Sequence, residues 1–419
     1  MSHSAPEARD TSTALTTSDT RPDHPSALAR RGLAVVFGST FLELVGVFML
    51  SPLLLLTLKN SGLTTATAGL FAACSWVGML AVMPLVSAIT RRLGRRQALW
   101  LAAAIPLVAT SGFLITDRLA VWFVLQMLAG MAGGLRWVLA EAAVAEFAPP
   151  GQRGRAVGLF ETMVGMTFVL GPALLASLGA DLRLTLWLVL GLMAAALLLS
   201  LWIPPLPLPP DETHVKAGPQ GLWRALQAHP VVMVVGLVGG FFESGLSSLL
   251  PLYGLALALS PAQAALLVSA SGLGSSLMML PAGMLADRMS HHPQQRWGNQ
   301  SAARRTLMRG CALLTLAATA AVPWVAQHPL LAWPVVFMWG GAGGCLYTLA
   351  MIDIGEREAG LALVNSTAVL VMSYTLGGVL APALGGWALQ GSASTGFAAL
   401  LLTAAALGVA VLHARRFRW

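Results

Sequence analysis

The chain of 419 residues is 56% hydrophobic and only 10% charged, with a mean hydropathy of +0.74. Soluble domains carry about 25% charged residues, so too little polar surface is present to coat a water-soluble globule of this size. The net charge of +8 therefore concerns the sidedness of charge at a bilayer rather than attraction to nucleic acid.

Residues 1–29 are polar and rich in Ser, Thr, Ala and Pro. With no apolar core, this stretch fits a disordered tail and not a cleaved signal peptide. Beyond it, apolar windows separated by polar or Gly/Pro breaks predict twelve membrane spans. They lie near 32–58, 66–90, 97–116, 119–148, 156–180 and 184–203, then near 231–256, 262–286, 306–326, 330–352, 360–389 and 395–413. The intervening "PPLPLPPDETHVKAGPQGLWRALQAHP" reads as a linker whose prolines stop span six. The expected architecture is an all-α integral membrane protein made of two six-helix bundles, 30–203 and 231–414, joined by the linker 204–230 and ending in a basic tail at 415–419.

An even number of spans places both termini on one side. If that side is cytoplasmic, the external segments hold only Lys59, Arg118 and Arg183, while 21 of the 25 basic residues face inward. The short basic loops at 91–96, 151–155, 304–309 and 415–418 carry the bias, which predicts cytoplasmic termini.

The halves echo each other. "GMAGGLRWVLA" at 130–140 matches "GGAGGCLYTLA" at 340–350 without a gap, and Glu43 in "FLELVG" matches Glu243 in "FFESGL". Leu170-Gly171 in span five parallels Leu376-Gly377 in span eleven. Two repeats around a midplane site form a known transporter architecture. The loop "SAITRRLGRR" at 87–96 resembles the signature of the major facilitator superfamily, G-x-x-x-D-R-x-G-R-R. Ser87 stands for the glycine and Arg91 for the aspartate, with Arg92, Gly94 and Arg95 retained. The second-half copy, "GMLADRMSHH", keeps Gly283, Asp287 and Arg288. The resemblance covers roughly residues 30–415 and extends to a buried arginine in span four and a Gly-Pro pair in span five of the kind seen in exporters. It implies alternating access between two bundles, a small-molecule substrate, a bacterial inner-membrane location, a monomer, and a cytoplasmic latch at Arg91, Arg92, Gly94, Arg95, Asp287 and Arg288. It leaves the substrate open.

Ionisable groups inside a membrane cost at least about 2.5–3.5 kcal/mol each and usually face a cavity or a partner. The candidates are Glu43, Arg136, Glu141, Glu161 and Glu243. At about 1.5 Å per helical residue, Glu43, Arg136 and Glu243 each fall on the order of 18 Å deep, in one midplane layer. Two roles compete for them. Either the glutamates exchange protons across the membrane while Arg136 binds an anion, or Arg136 pairs permanently with Glu43. Glu161 is expected either to pair with Arg155 or to contact substrate, and Glu141 to point to Arg155 or into the cavity. Trp137 and Tyr347 match across the repeat, as packing residues or as rings that stack on substrate. Asp353, Glu356, Arg357 and Glu358 read as a further latch or, more simply, as solvated loop charge. Cys74, Cys311 and Cys345 are dispersed, and no metal-ligand spacing or nucleotide-binding loop is present. No cofactor, metal or enzymatic activity is expected. An uncoupled facilitator and a non-transporting receptor or scaffold remain as alternatives to a proton-coupled transporter.

Overall fold

The structure, a computed structural model, describes residues 27–61, 65–149, 151–178, 182–205, 215–247, 249–259, 261–291, 300–325, 327–392 and 395–414. The expected tail through residue 26, much of the linker, His292 and the basic C-terminal residues lie outside the described residues.

Long helices account for nearly all of the rest. The first half comprises α1 (Ala27–Asn60), α2 (Thr65–Val82), α3 (Val86–Leu93), α4 (Arg95–Ile115), α5 (Leu119–Phe147), α6 (Arg153–Ser177) and α7 (Leu182–Ser200). A short α8 (Pro219–Ala228) follows. The second half comprises α9 (Pro230–Gly240), α10 (Leu250–Ala256), α11 (Pro261–His291), α12 (Gln300–Ala320), α13 (Val322–Val325), α14 (Ala332–Arg357), α15 (Gly360–Gly391) and α16 (Gly396–His413). Among the described residues, eleven helices are long and apolar enough to cross a membrane, and a twelfth span is reached if two bent segments, Pro219–Ala228 and Pro230–Gly245, count as one. Outward-facing Trp187, Leu198, Trp387 and Leu407 are exposed, as expected where lipid rather than water is the solvent. Near the span ends, Trp202 and Trp324 are exposed, as suits tryptophan at a bilayer interface, whereas Trp122 is buried and donates to the Thr116 carbonyl at 2.6 Å.

Breaks in the helices have local causes. Pro84 opens the 3-10 turn Met83–Leu85 between α2 and α3, because its ring removes a donor and fixes φ. Gly94, at φ +80°, separates α3 from α4. Span seven is interrupted after α9 by a π-helical turn, Phe241–Gly245, which carries Glu243. Such turns often mark functional sites. The expected linker also contains the ordered α8. The Ser87 hydroxyl accepts the Gly218 N–H at 2.7 Å, and Asn365 donates to the Lys216 carbonyl at 2.9 Å.

Equivalent glycines pack equivalently in the two halves. Gly78 abuts the Met127 carbonyl and Gly130 the Ser75 backbone; Gly274 abuts the Phe337 carbonyl and Gly340 the Ser271 backbone. A Cβ on any of the four would run into main chain, which cannot step aside. Gly130→Val and Gly340→Val are each expected to cost about 1–3 kcal/mol through overpacking. Gly272→Ala, which meets nothing within 4 Å, should be neutral or slightly stabilising. Thermal unfolding of the purified variants checks this.

The halves join at one end. A continuous apolar core runs through both at the end carrying the Arg-rich loops, whereas Met49, Leu53, Phe113, Trp122 and Leu186 form a separate cluster confined to the far end of the first half. Hydrogen bonds between the halves follow the same division. Between described residues, bonds such as that of Thr162 to the Ser276 carbonyl at 3.2 Å occupy the Arg-rich end and mid-depth.

Candidate functional site

Arg136 on α5 is buried, and its guanidinium turns to partners within the first half. Nε lies 3.1 Å from Glu43 Oε2 on α1, and the other nitrogens donate to Ser39 at 2.8 Å, Ser200 at 3.2 Å and Thr40 at 3.5 Å. The expected pairing of Arg136 with Glu43 is therefore present, while Glu243 turns to other partners. The repeat explains why. In the second half, the position matching Arg136 is Leu346, and Gly239 and Gly343 let α9 and α14 approach through backbone alone.

Glu243, without a cation, accepts hydrogen bonds from Ser275 on α11 and, at 2.9 Å, from Tyr374 on α15. Tyr374 packs edge-on against Tyr347 with ring centres 4.7 Å apart, and Trp137 lies 5.8 Å from Tyr374 and 6.2 Å from Tyr347. The Tyr347 hydroxyl sits 2.7 Å from both oxygens of Glu141, whose Oε1 also receives the Trp137 ring N–H. Beside Glu141 lies Glu161 on α6. It is buried, and its Oε1 has no hydrogen-bond partner. Three carboxyls and three aromatic rings from five spans thus form one connected layer that bridges the halves. Neither Glu161 nor Glu141 turns to Arg155, whose backbone N–H serves Asp287 instead.

Tyr374 and Ser275 were not foreseen from the sequence. A signal existed for the tyrosine, since the chain has only three and a phenol amid "VMSYTLGG" is as exceptional as a glutamate there. Ser275 offered none.

At the Arg-rich end, carboxylates of each half cap a helix of the other. Asp287 on α11 accepts the N–H groups of Gly154 and Arg155, at 2.9 and 2.8 Å, at the start of α6. Glu146, at the end of α5, accepts the Gly360 N–H at 2.8 Å at the start of α15 and pairs with buried Arg95, which donates to the Gly360 carbonyl at 2.9 Å. Helix N-termini favour negative charge and present free N–H groups. Beneath Asp287, Gly154 and Gly283 bring α6 and α11 into backbone contact. Of the six expected latch residues, Arg95 and Asp287 take part directly and Gly94 forms the helix break, while Arg91, Arg92 and Arg288 are exposed. Glu146 supplies the helix-capping carboxylate. The loop charges at 353–358 are more than solvated: Asp353 is buried between Arg304 and Arg357, Glu356 reaches Arg153 at 3.5 Å, and Glu358 pairs with His229 at 2.6 Å.

A polytopic helical bundle in two halves, joined at one end and lined at mid-depth by buried charge, defines a membrane carrier. The comparisons agree. The model of the Major Facilitator Superfamily matches residues 36–368, and the chain belongs to that family; it is a multi-pass membrane transporter and not an enzyme. It is 23% identical over 374 residues to the uncharacterized MFS-type transporter YfkF of Bacillus subtilis, covering 88% of this chain and 92% of the relative. It is 25% identical over 350 residues to YcaD of Salmonella paratyphi A, covering 83% and 86%. Among solved structures, the human organic anion transporter MFSD10 superposes with a TM-score of 0.72 at 18% identity, covering 92% of this chain and 98% of that one. The Escherichia coli fucose:proton symporter FucP gives 0.72 at 12%, covering 91% and 96%. These likenesses establish the fold.

Proposed function

We propose that the protein is a proton-coupled secondary active transporter that moves a small molecule across the bacterial inner membrane by alternating access, as a monomer with both termini cytoplasmic. The observation behind this reading is the buried layer Glu161–Glu141–Tyr347–Tyr374–Glu243, which links the halves and contains no cation. Carboxylates left ionised and unpaired at that depth cost several kcal/mol, so each needs a proton or a cationic substrate. Because Tyr347 donates to Glu141 across the interface, a change in occupancy at the carboxyls alters the contacts that hold the halves together at mid-depth. On the positive-inside rule the joined end is cytoplasmic, which makes this the outward-facing state.

Exposed Gln152 and Ala359 flank the joined end in opposite halves. Spin labels at these two positions should move apart in a fraction of molecules that changes with pH, and Glu161→Gln with Glu243→Gln should remove that response. A distance distribution that ignores both pH and the substitutions rules the reading out and leaves the uncoupled facilitator or the scaffold.

A further inference from the structure

We infer that the mid-depth layer is a binding site for an organic cation with an aromatic or bulky apolar body, held over Trp137, Tyr347 and Tyr374 against Glu161 and Glu243 and exchanged there for a proton. The inference rests on the alternating-access reading above and specifies its cargo. Its first support is the charge inventory. Among the described residues, the basic side chain at this depth, Arg136, turns to Ser39, Thr40 and Ser200 within the first half and has its charge matched by Glu43 at 3.1 Å, so it is not offered to an anion. Glu161, by contrast, is buried with Oε1 unpartnered, an acceptor vacancy that an ammonium or another delocalised cation would fill.

The second support is independent of charge. Trp137, Tyr347 and Tyr374 lie within 4.7–6.2 Å of one another, centre to centre. Indole and phenol faces attract cations by up to about 2 kcal/mol when desolvated, while an anion meets the repulsive side of the same quadrupole. A bare metal ion fits less well. Among the described residues, no three His, Cys, Asp or Glu side chains come close enough together to hold one.

The groups acting on Glu161 are Glu141 on α5, Glu243 on the π-turn, Tyr347 on α14 and Tyr374 on α15. On α1, Glu43 is held by Arg136. Cation and proton therefore compete for the same negative site. The exchange balances: the cation enters as the carboxylic O–H releases its proton to water, and the reverse occurs on the other face. Driven by an inward proton gradient, this exchange is efflux.

The test is equilibrium binding of radiolabelled tetraphenylphosphonium to the purified full-length chain, with tetraphenylborate as an anion of the same shape. The phosphonium should bind and the borate should not. Affinity for the phosphonium should tighten up to about tenfold per pH unit wherever one proton is exchanged. Glu161→Gln should weaken binding at least tenfold and flatten its pH dependence, and Trp137→Leu should weaken it with the pH dependence retained. If Glu161→Gln does not fold, Glu243→Gln and Tyr374→Phe replace it, and the two isosteric probes still decide the matter on the parent protein. Equal or tighter binding of the borate, no binding of either probe, or unchanged phosphonium binding in folded variants overturns the cation site. Because no gradient is involved, the two readings separate. Cation binding with label distances that ignore pH keeps the site and removes the coupling; pH-driven opening without cation binding removes only the site.

Discussion

Arg136→Leu is expected to destabilise the protein by about 3–5 kcal/mol, because it leaves Glu43 as a buried carboxylate without its cation. The guanidinium also satisfies Ser39 and Ser200, the latter on α7, so three helices of the first half lose a common anchor. The double variant Glu43→Leu with Arg136→Leu removes both charges together. Replacing a buried ion pair by apolar side chains of similar size is often neutral or stabilising, so most of the lost stability should return. Thermal unfolding of the two single variants and the double variant forms a cycle that isolates the coupling between the pair. The same cycle separates structure from transport. If the pair only binds α1 to α5, the double variant regains both stability and tetraphenylphosphonium binding. A double variant that is stable yet unable to bind would place Arg136 in the site, against the geometry.

The sequence made much of the fold legible and less of the site. Hydropathy locates spans because a bilayer demands about 20 apolar residues from any helix. The offset between Gly130 and Gly340 locates the repeat because both must face backbone across a helix crossing. Pairing is another matter. Depth along a helix placed Glu43, Arg136 and Glu243 in one layer, but depth says nothing of which way a side chain faces. Arg136 turns toward α1 and α7, where Ser39 and Ser200 wait, while Glu243 is carried by a π-turn toward Tyr374, 131 residues away. That turn follows from packing: Gly240 and Gly377 press α9 and α15 together at the backbone. The helix-capping role of Glu146 was hidden for a similar reason. Its partners Arg95 and Gly360 lie 51 and 214 residues away, and Arg91, at the position of the family's aspartate, drew attention to a loop that does not supply the charge.

Removing Asp287 and Glu146 together is expected to shift the balance between the joined and separated states of the Arg-rich end by about 2–4 kcal/mol, roughly 30- to 900-fold in population. Each carboxylate caps a helix N-terminus belonging to the other half, and such a cap is worth about 1–2 kcal/mol. Their seams differ: Asp287 works between α11 and α6, Glu146 between α5 and α15. If the halves rock as rigid bodies, both seams open in one movement, and Asp287→Ala and Glu146→Ala act on one equilibrium with free energies that add. If the seams open separately, each substitution loosens only its own. Asp287→Ala is the cleaner perturbation, because Glu146→Ala also strips the buried guanidinium of Arg95 of its carboxylate and so carries a cost inside the first half. Distances between spin labels at Gln152 and Ala359 report the balance directly. Asp287→Ala should enlarge the separated population several-fold, the double variant should enlarge it further, and tetraphenylphosphonium should bind less tightly to both if its site opens to the far side. A double variant whose distance distribution matches the parent would mean that the backbone contact of Gly154 with Gly283 and the shared apolar core hold the end closed, with the two caps as bystanders.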